Sequence, residues 1–202
     1  MSEPIEFFFD FSSPYGYIAG ECIDEIAARY DRTVRWQPIL LGVIFKTSGA
    51  APLPSLPLKG AYALRDFVRS ARFHGVSYQH PVRFPVSGIA PTRAFHAVAS
   101  ADAATATTLA RTLMRAYFVQ GIDISDPEAT IAVAAGAGLG LEADTLRQAM
   151  ASQAIKDRVR AATDAAIGRG IFGSPFTLVD GEPFWGADRL DQIERWLATG
   201  GW

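Results

Sequence analysis

The chain opens with Ile5-Glu6-Phe7-Phe8-Phe9-Asp10-Phe11, apolar at nearly every position, and such a run predicts a strand covered on both faces, the setting of a central parallel strand. Ser12-Ser13-Pro14 breaks it. From Tyr15 to Arg29 the period lengthens. Ile18, Cys22, Ile26 and Tyr30 recur every four positions and lay one apolar stripe along a helix, with Pro14 in its first turn, where a missing N–H costs nothing. Thr33 to Ile39 alternates as a second strand, and strand–helix–strand predicts a parallel pair joined right-handed. Gly42 to Pro57, rich in Gly, Pro, Ser and Ala, reads as a mobile loop.

From Leu58 to about Gln153 the period is helical almost throughout. Helices are predicted over Lys59–Phe73, Pro91–Ala99, Ala103–Gln120, Pro127–Ala135 and Glu142–Ala151, and Ser125-Asp126-Pro127-Glu128 carries a clear start signal. Ile155, Val159, Ala162 and Ala166 stripe one more helix, ending near Gly168. Phe176–Val179 and Glu182–Trp185, joined by Asp180-Gly181, predict a hairpin with a type I′ turn, and Pro183 places its second strand at a sheet edge. Leu190, Ile193, Trp196 and Leu197 mark a terminal helix with Asp188 near its N-cap. The order is βαβ, a long helical stretch, then αββα. Joined in one sheet, a step that rests on the motifs below, residues 1–45 and 153–202 make an α/β thioredoxin fold, interrupted by an all-helical insertion domain at 46–152.

Charge narrows the partners. Nineteen Lys and Arg against 21 Asp and Glu give a net charge of −2, and no like-charge block exceeds two residues, so no footprint for nucleic acid or an anionic membrane exists and a small-molecule partner is expected. A single cysteine, Cys22, excludes an intramolecular disulfide, a C-x-x-C pair and a multi-thiolate metal site. It sits on the apolar stripe of the first helix and reads as core packing. His74, His80 and His96 lack i, i+4 spacing and read as surface or packed residues, so no metal is expected. Met1 to Glu6 carries two acids and no base, and no apolar run approaches the ~18–20 residues of a membrane span, so a cytoplasmic location is expected.

Three loops carry the candidate chemistry. The first joins the opening strand to the first helix, whose N-terminal N–H groups and partial positive charge favour an anion. Thioredoxin-type oxidoreductases place C-x-x-C at this turn, whereas here Ser13-Pro14-Tyr15-Gly16 stands there. A hydroxyl donor at a helix end can lower a bound thiol's pKa by ~2 units from ~8.5, so the turn can hold another molecule's thiolate. The alternative is that Ser13 only caps the helix. The second loop, Phe172-Gly173-Ser174-Pro175-Phe176, is a candidate cis-Pro that pairs Ser174 with an extended peptide, or else an ordinary proline opening an edge strand. In the third, Phe184-Trp185-Gly186-Ala187-Asp188-Arg189, Asp188 can take a free amino group, or simply cap the helix. Arg65, Asp66, Arg69 and Arg72 read as a solvated helix face from which one arginine can reach a carboxylate.

Phe7 to Tyr15, Leu41-Gly42-Val43-Ile44-Phe45-Lys46, Phe172-Gly173-Ser174-Pro175 and Phe184 to Leu190 together resemble 2-hydroxychromene-2-carboxylate isomerases, which are similar to kappa-class glutathione transferases in the DsbA-like branch of thioredoxin folds. The resemblance implies that Ser13 holds the glutathione sulfur as thiolate. It implies that Ser174 and cis-Pro175 pair with the cysteinyl backbone, and that Trp185, Gly186, Ala187 and Asp188 hold the γ-glutamyl end. Lys59 would approach the glycine carboxylate. Lys46 would serve similarly or face the carboxylate of an aromatic substrate, and Ser87 would lie on a loop lining that substrate's pocket. One position departs from the family, since Ala50 stands where an asparagine usually orders glutathione or substrate.

The function so implied is glutathione-dependent isomerisation of 2-hydroxychromene-2-carboxylate-type compounds in aromatic-hydrocarbon catabolism, by a homodimer. Two alternatives remain open at this point: a kappa-type transferase conjugating electrophiles, and a thioredoxin-fold binding protein without turnover.

Overall fold

A computed structural model of the chain describes residues 3–202. The opening run forms β1 (Ile5–Phe9), followed by α1 (Pro14–Ala28) and β2 (Val34–Pro38). The helical stretch holds α2 (Leu41–Ser48), α3 (Lys59–Phe73), α4 (Ile89–Ala99), α5 (Ala103–Phe118), α6 (Pro127–Ala135) and α7 (Ala143–Ala151). The chain returns through α8 (Gln153–Gly168), the hairpin β3 (Phe176–Val179) and β4 (Glu182–Trp185), and α9 (Leu190–Thr199). The sheet order is β2-β1-β3-β4, with β1 parallel to β2 and antiparallel to β3. This is the expected α/β thioredoxin architecture with helices inserted between its halves.

The phenylalanine run explains the layering. Phe7, Phe9 and Phe11 point to one face, where Phe9 meets Trp36 and, across the insertion, Phe95 of α4. Phe8 points to the other face, against Ile39, Ile44 of α2 and Ala166 of α8. Each aromatic ring buried this way contributes roughly 1.5–3 kcal/mol of transfer free energy. The hairpin turn has φ of +54° at Asp180 and +91° at Gly181, as a type I′ turn requires, and β4 with Pro183 is the edge strand.

Two expectations fail. The stretch read as a mobile loop from Gly42 to Pro57 contains α2 and a short 3₁₀ turn at Leu53–Ser55. A single buried residue, Ile44, anchors α2 on Phe8, and Gly49 in the left-handed region ends it, so the helix shows almost no apolar stripe. At the other end, Asp188 does not cap α9. The chain makes a 3₁₀ turn over Ala187–Arg189, and the carboxylate stays 72% exposed beside Arg189.

Candidate active site

Asp10 organises the end of β1. Only 3% exposed, its Oδ1 accepts the N–H and hydroxyl of Ser12, and its Oδ2 accepts the N–H of Leu41 at the start of α2. Burial pushes its carboxyl up, against these hydrogen bonds, which favour the charge. The effect is a tight turn that delivers Ser13 to the N-terminus of α1.

Ser13 is buried and does two things. Its Oγ accepts the N–H of Gly16 at 3.0 Å, capping α1, and donates to the carbonyl of Ser174 at 2.9 Å. Ser174 in turn accepts the N–H of Asp10 on its own hydroxyl. The Ser174–Pro175 bond is cis, as is Phe84–Pro85. Gly16 permits this closure, because a Cβ there would lie 2.6 Å from the Ser174 Oγ. The N–H of Tyr15, in the first turn of α1, and that of Ser174 have no partner among the described residues.

These groups sit at the floor of a cleft of about 1410 Å³. Its thioredoxin-side wall carries Ser174, Trp185, Gly186, Ala187 and Asp188. Trp185 is half-exposed, packs edge-on to Phe172, and lies over Gly173, where a Cβ would come within 2.2 Å of the indole nitrogen. Gly186 donates its N–H to Pro175, and the N–H groups of Ala187 and Asp188 have no partner among the described residues. Ser13, Ser174 and the 185–188 turn are thus brought together. Pro175 stands directly behind them. Lys46, Lys59 and Ser87 are exposed and lie outside the cleft lining; the Oγ of Ser87 is used by the N–H of Ile89.

The opposite wall is the helix face that reads from sequence as solvated, with one arginine able to reach a carboxylate. Tyr62, Asp66, Arg69, Ser70 and Phe73 of α3 line the cleft, beside the buried stripe of Gly60, Ala63, Phe67 and Ala71. The Tyr15 hydroxyl donates to Asp66 at 2.5 Å, tying α1 to α3 next to Ser13. Asp66 also accepts from Arg69 and Ser70, and Arg69 donates to the Tyr62 hydroxyl. Burial opposes the charge on Asp66, but the hydrogen bonds from Tyr15 and Arg69 outweigh it and hold the carboxyl below its ordinary value. Burial and the neighbouring Asp66 push the Tyr15 phenol up, so it remains a donor. Cys22 sits on α1 away from the cleft lining; burial pushes its thiol up, and Glu21 and Glu25 add to the effect.

The profile of the DsbA-like thioredoxin domain matches residues 4–198. The chain belongs to the DsbA-like thioredoxin family. Within that family it is 28% identical to human glutathione S-transferase kappa 1, over 98% of this chain and 94% of that one. It is 29% identical to a 2-hydroxychromene-2-carboxylate isomerase of Sphingobium xenophagum, over 98% of this chain and 99% of that one. A solved 2-hydroxychromene-2-carboxylate isomerase superposes with a TM-score of 0.84 at 27% identity, covering 98% of this chain and 95% of that one. This DsbA-like domain carries serine at its β1–α1 turn and no C-x-x-C pair. No helix among the described residues is long and apolar enough to cross a membrane.

Proposed function

We propose that the protein is a glutathione-dependent isomerase of 2-hydroxychromene-2-carboxylate-type aromatic carboxylates, serving aromatic-hydrocarbon degradation. The observation that carries this reading is the Ser13 hydroxyl at a helix N-terminus, joined to Ser174 and lining a large cleft. The cleft volume of about 1410 Å³ exceeds the roughly 300–1,000 Å³ of an ordinary single-ligand pocket, which suits a tripeptide and a second small molecule together.

The residues present fit glutathione. Ser174 offers its unpartnered N–H to a peptide backbone, and the exposed carboxylate of Asp188 suits an α-ammonium group. The N–H groups of Ala187 and Asp188 suit the α-carboxylate beside it. When bound, glutathione supplies a thiolate that adds reversibly to an electron-poor carbon, so that a bond in the substrate can rotate. The protein's share is electrostatic and orientational. Ser13 turns its hydroxyl proton from the Ser174 carbonyl toward the sulfur, and α1 adds the positive end of its dipole. Asp10 keeps both serines in register, and the cleft walls hold the second substrate over the sulfur and exclude water.

The test is an absorbance assay on 2-hydroxychromene-2-carboxylate with and without glutathione. Turnover that requires glutathione and consumes none is expected; conversion independent of glutathione overturns the reading. A kappa-type transferase is the second reading, supported by the 28% identity to human glutathione S-transferase kappa 1. Stoichiometric loss of thiol with a chloronitrobenzene, and no isomerisation, would select it.

A further inference from the structure

The cleft contains two permanent cations, Arg69 and Arg189, and they are differently placed. Arg189 pairs with Asp188 at 3.4 Å, on the turn assigned to the γ-glutamyl end. Arg69 is on α3, across the cleft, and a chain of hydrogen bonds ties it to the thiol floor. Tyr15, two residues after Ser13, donates to Asp66, and Asp66 accepts from Arg69.

The same hydrogen bonds fix the guanidinium. A single amino group of Arg69, Nη2, serves both Asp66 and the Tyr62 hydroxyl, and the guanidinium carbon lies 5.3 Å from the Tyr62 ring centroid. Nε and Nη1 have no partner among the described residues, and the side chain is 60% exposed. Tyr15 and Ser70 donate to the other oxygen of Asp66, so the arginine shares Oδ1 with neither of them. Both two-point edges of a guanidinium include Nη2, which Asp66 and the Tyr62 hydroxyl already occupy, so what remains is an always-charged group whose open Nη1 can meet a carboxylate in a single charge-assisted hydrogen bond. The cleft-lining segment from Gly49 to Leu53, which leads into the turn packed on α3, offers only Gly, Ala, Pro and Leu, so it can pack against a ring but cannot bind an anion through a side chain.

We infer that Arg69 anchors the carboxylate of the second, aromatic substrate and orients its ring between α3 and the 49–53 loop, over the Ser13 floor. This rests on the functional reading above for the identity of that substrate. It gives the binding charge to a residue inside the cleft, whereas Lys46 and Lys59 lie outside its lining.

The test uses naphthalene-2-carboxylate and its uncharged analogue naphthalene-2-carboxamide as probes, titrated calorimetrically into the full chain with and without saturating glutathione. The wild-type protein should prefer the carboxylate by roughly ten- to a hundredfold, the range of a charge-assisted hydrogen-bonded pair. Arg69→Met should erase that preference, leave carboxamide binding in place, and leave glutathione affinity within about twofold, with Arg69→Lys intermediate because it restores a point charge but not the guanidinium's fixed placement on Asp66 and the Tyr62 ring. A wild-type protein with no preference for the carboxylate, or an Arg69→Met variant that keeps it, overturns the inference. So does weaker glutathione binding in Arg69→Met with the preference intact, which would assign the arginine to the tripeptide. If glutathione does not bind the wild-type protein at all, the isomerase reading fails, while the probe preference still reads on Arg69 alone.

Discussion

The Ser13 hydroxyl spans two segments 161 residues apart, accepting the N–H of Gly16 in the first turn of α1 while donating to the Ser174 carbonyl. Capping and thiolate stabilisation are thus two uses of one oxygen, and they separate by magnitude. Removing a serine N-cap costs about 0.5–2 kcal/mol of stability. Removing a donor aimed at developing charge costs about 10²–10³ in rate. Ser13→Ala should therefore melt only a few degrees lower while kcat/KM falls at least a hundredfold. Near-wild-type turnover in that variant would remove Ser13 from the chemistry.

Asp10 tests the scaffold beneath it. Asparagine keeps its size, but the amide presents one oxygen and one NH₂ to a site that holds only donors: the Ser12 N–H and hydroxyl, and the Leu41 N–H. At least one buried donor loses its acceptor, at a cost of roughly 1–3 kcal/mol. Asp10→Asn should lower the denaturant midpoint accordingly, without changing the m-value, and should weaken glutathione binding because the turn carrying Ser13 loosens. An unchanged midpoint would contradict the hydrogen-bond inventory of this carboxylate.

What could be read from the chain was local. The Phe7–Phe8–Phe9 run has neighbours on both faces because no polar position interrupts it, and Asp180-Gly181 fixes its own turn through positive φ values. The misreadings have different causes. In α2 only Ile44 is buried, so an eight-residue helix has no stripe to detect. Asp66 and Arg69 read as a solvated face because a cleft wall that binds ions has the same polarity as a surface. The bond that reveals it, Tyr15 to Asp66, joins residues 51 apart in sequence. Asp10 is the one acid inside an aromatic run, and its role depends on Leu41, 31 residues away, folding onto its carboxylate.

Gly173 probes the wall under Trp185. An alanine Cβ would lie 2.2 Å from the indole nitrogen, so the ring must swing away. Trp185 is already half-exposed, and moving it should cost little stability, less than about 1 kcal/mol or roughly 2–4 °C in Tm for a chain of this size. Glutathione affinity should nevertheless fall about tenfold, if the ring shapes the γ-glutamyl end of the cleft. Calorimetry alongside thermal melting separates the two effects, and unaltered affinity would exclude Trp185 from that role.

His96 gives the fold a pH dependence outside the cleft. Its Nε2 is buried without a hydrogen-bond partner, and burial, aided by the nearby Arg158 charge, pushes its pKa down to about 4. The unfolded chain, with an ordinary histidine near 6.5, binds this proton first as pH falls, so the unfolded state gains protons that the folded state refuses. Stability from this source is full above about pH 6.5 and falls progressively toward about pH 4, by which point the accumulated loss is on the order of 2–3 kcal/mol. Asp10 acts with the opposite sign over the acidic part of this range, because its folded pKa is raised and the folded state takes up that proton before the unfolded chain does. The difference between wild-type and His96→Gln protein isolates the histidine. Denaturant midpoints measured at half-unit steps from pH 4 to 7 should fall more steeply with acid in the wild type than in the variant. Parallel curves would mean that the imidazole is solvated in the folded protein and that its burial between the helices is wrong.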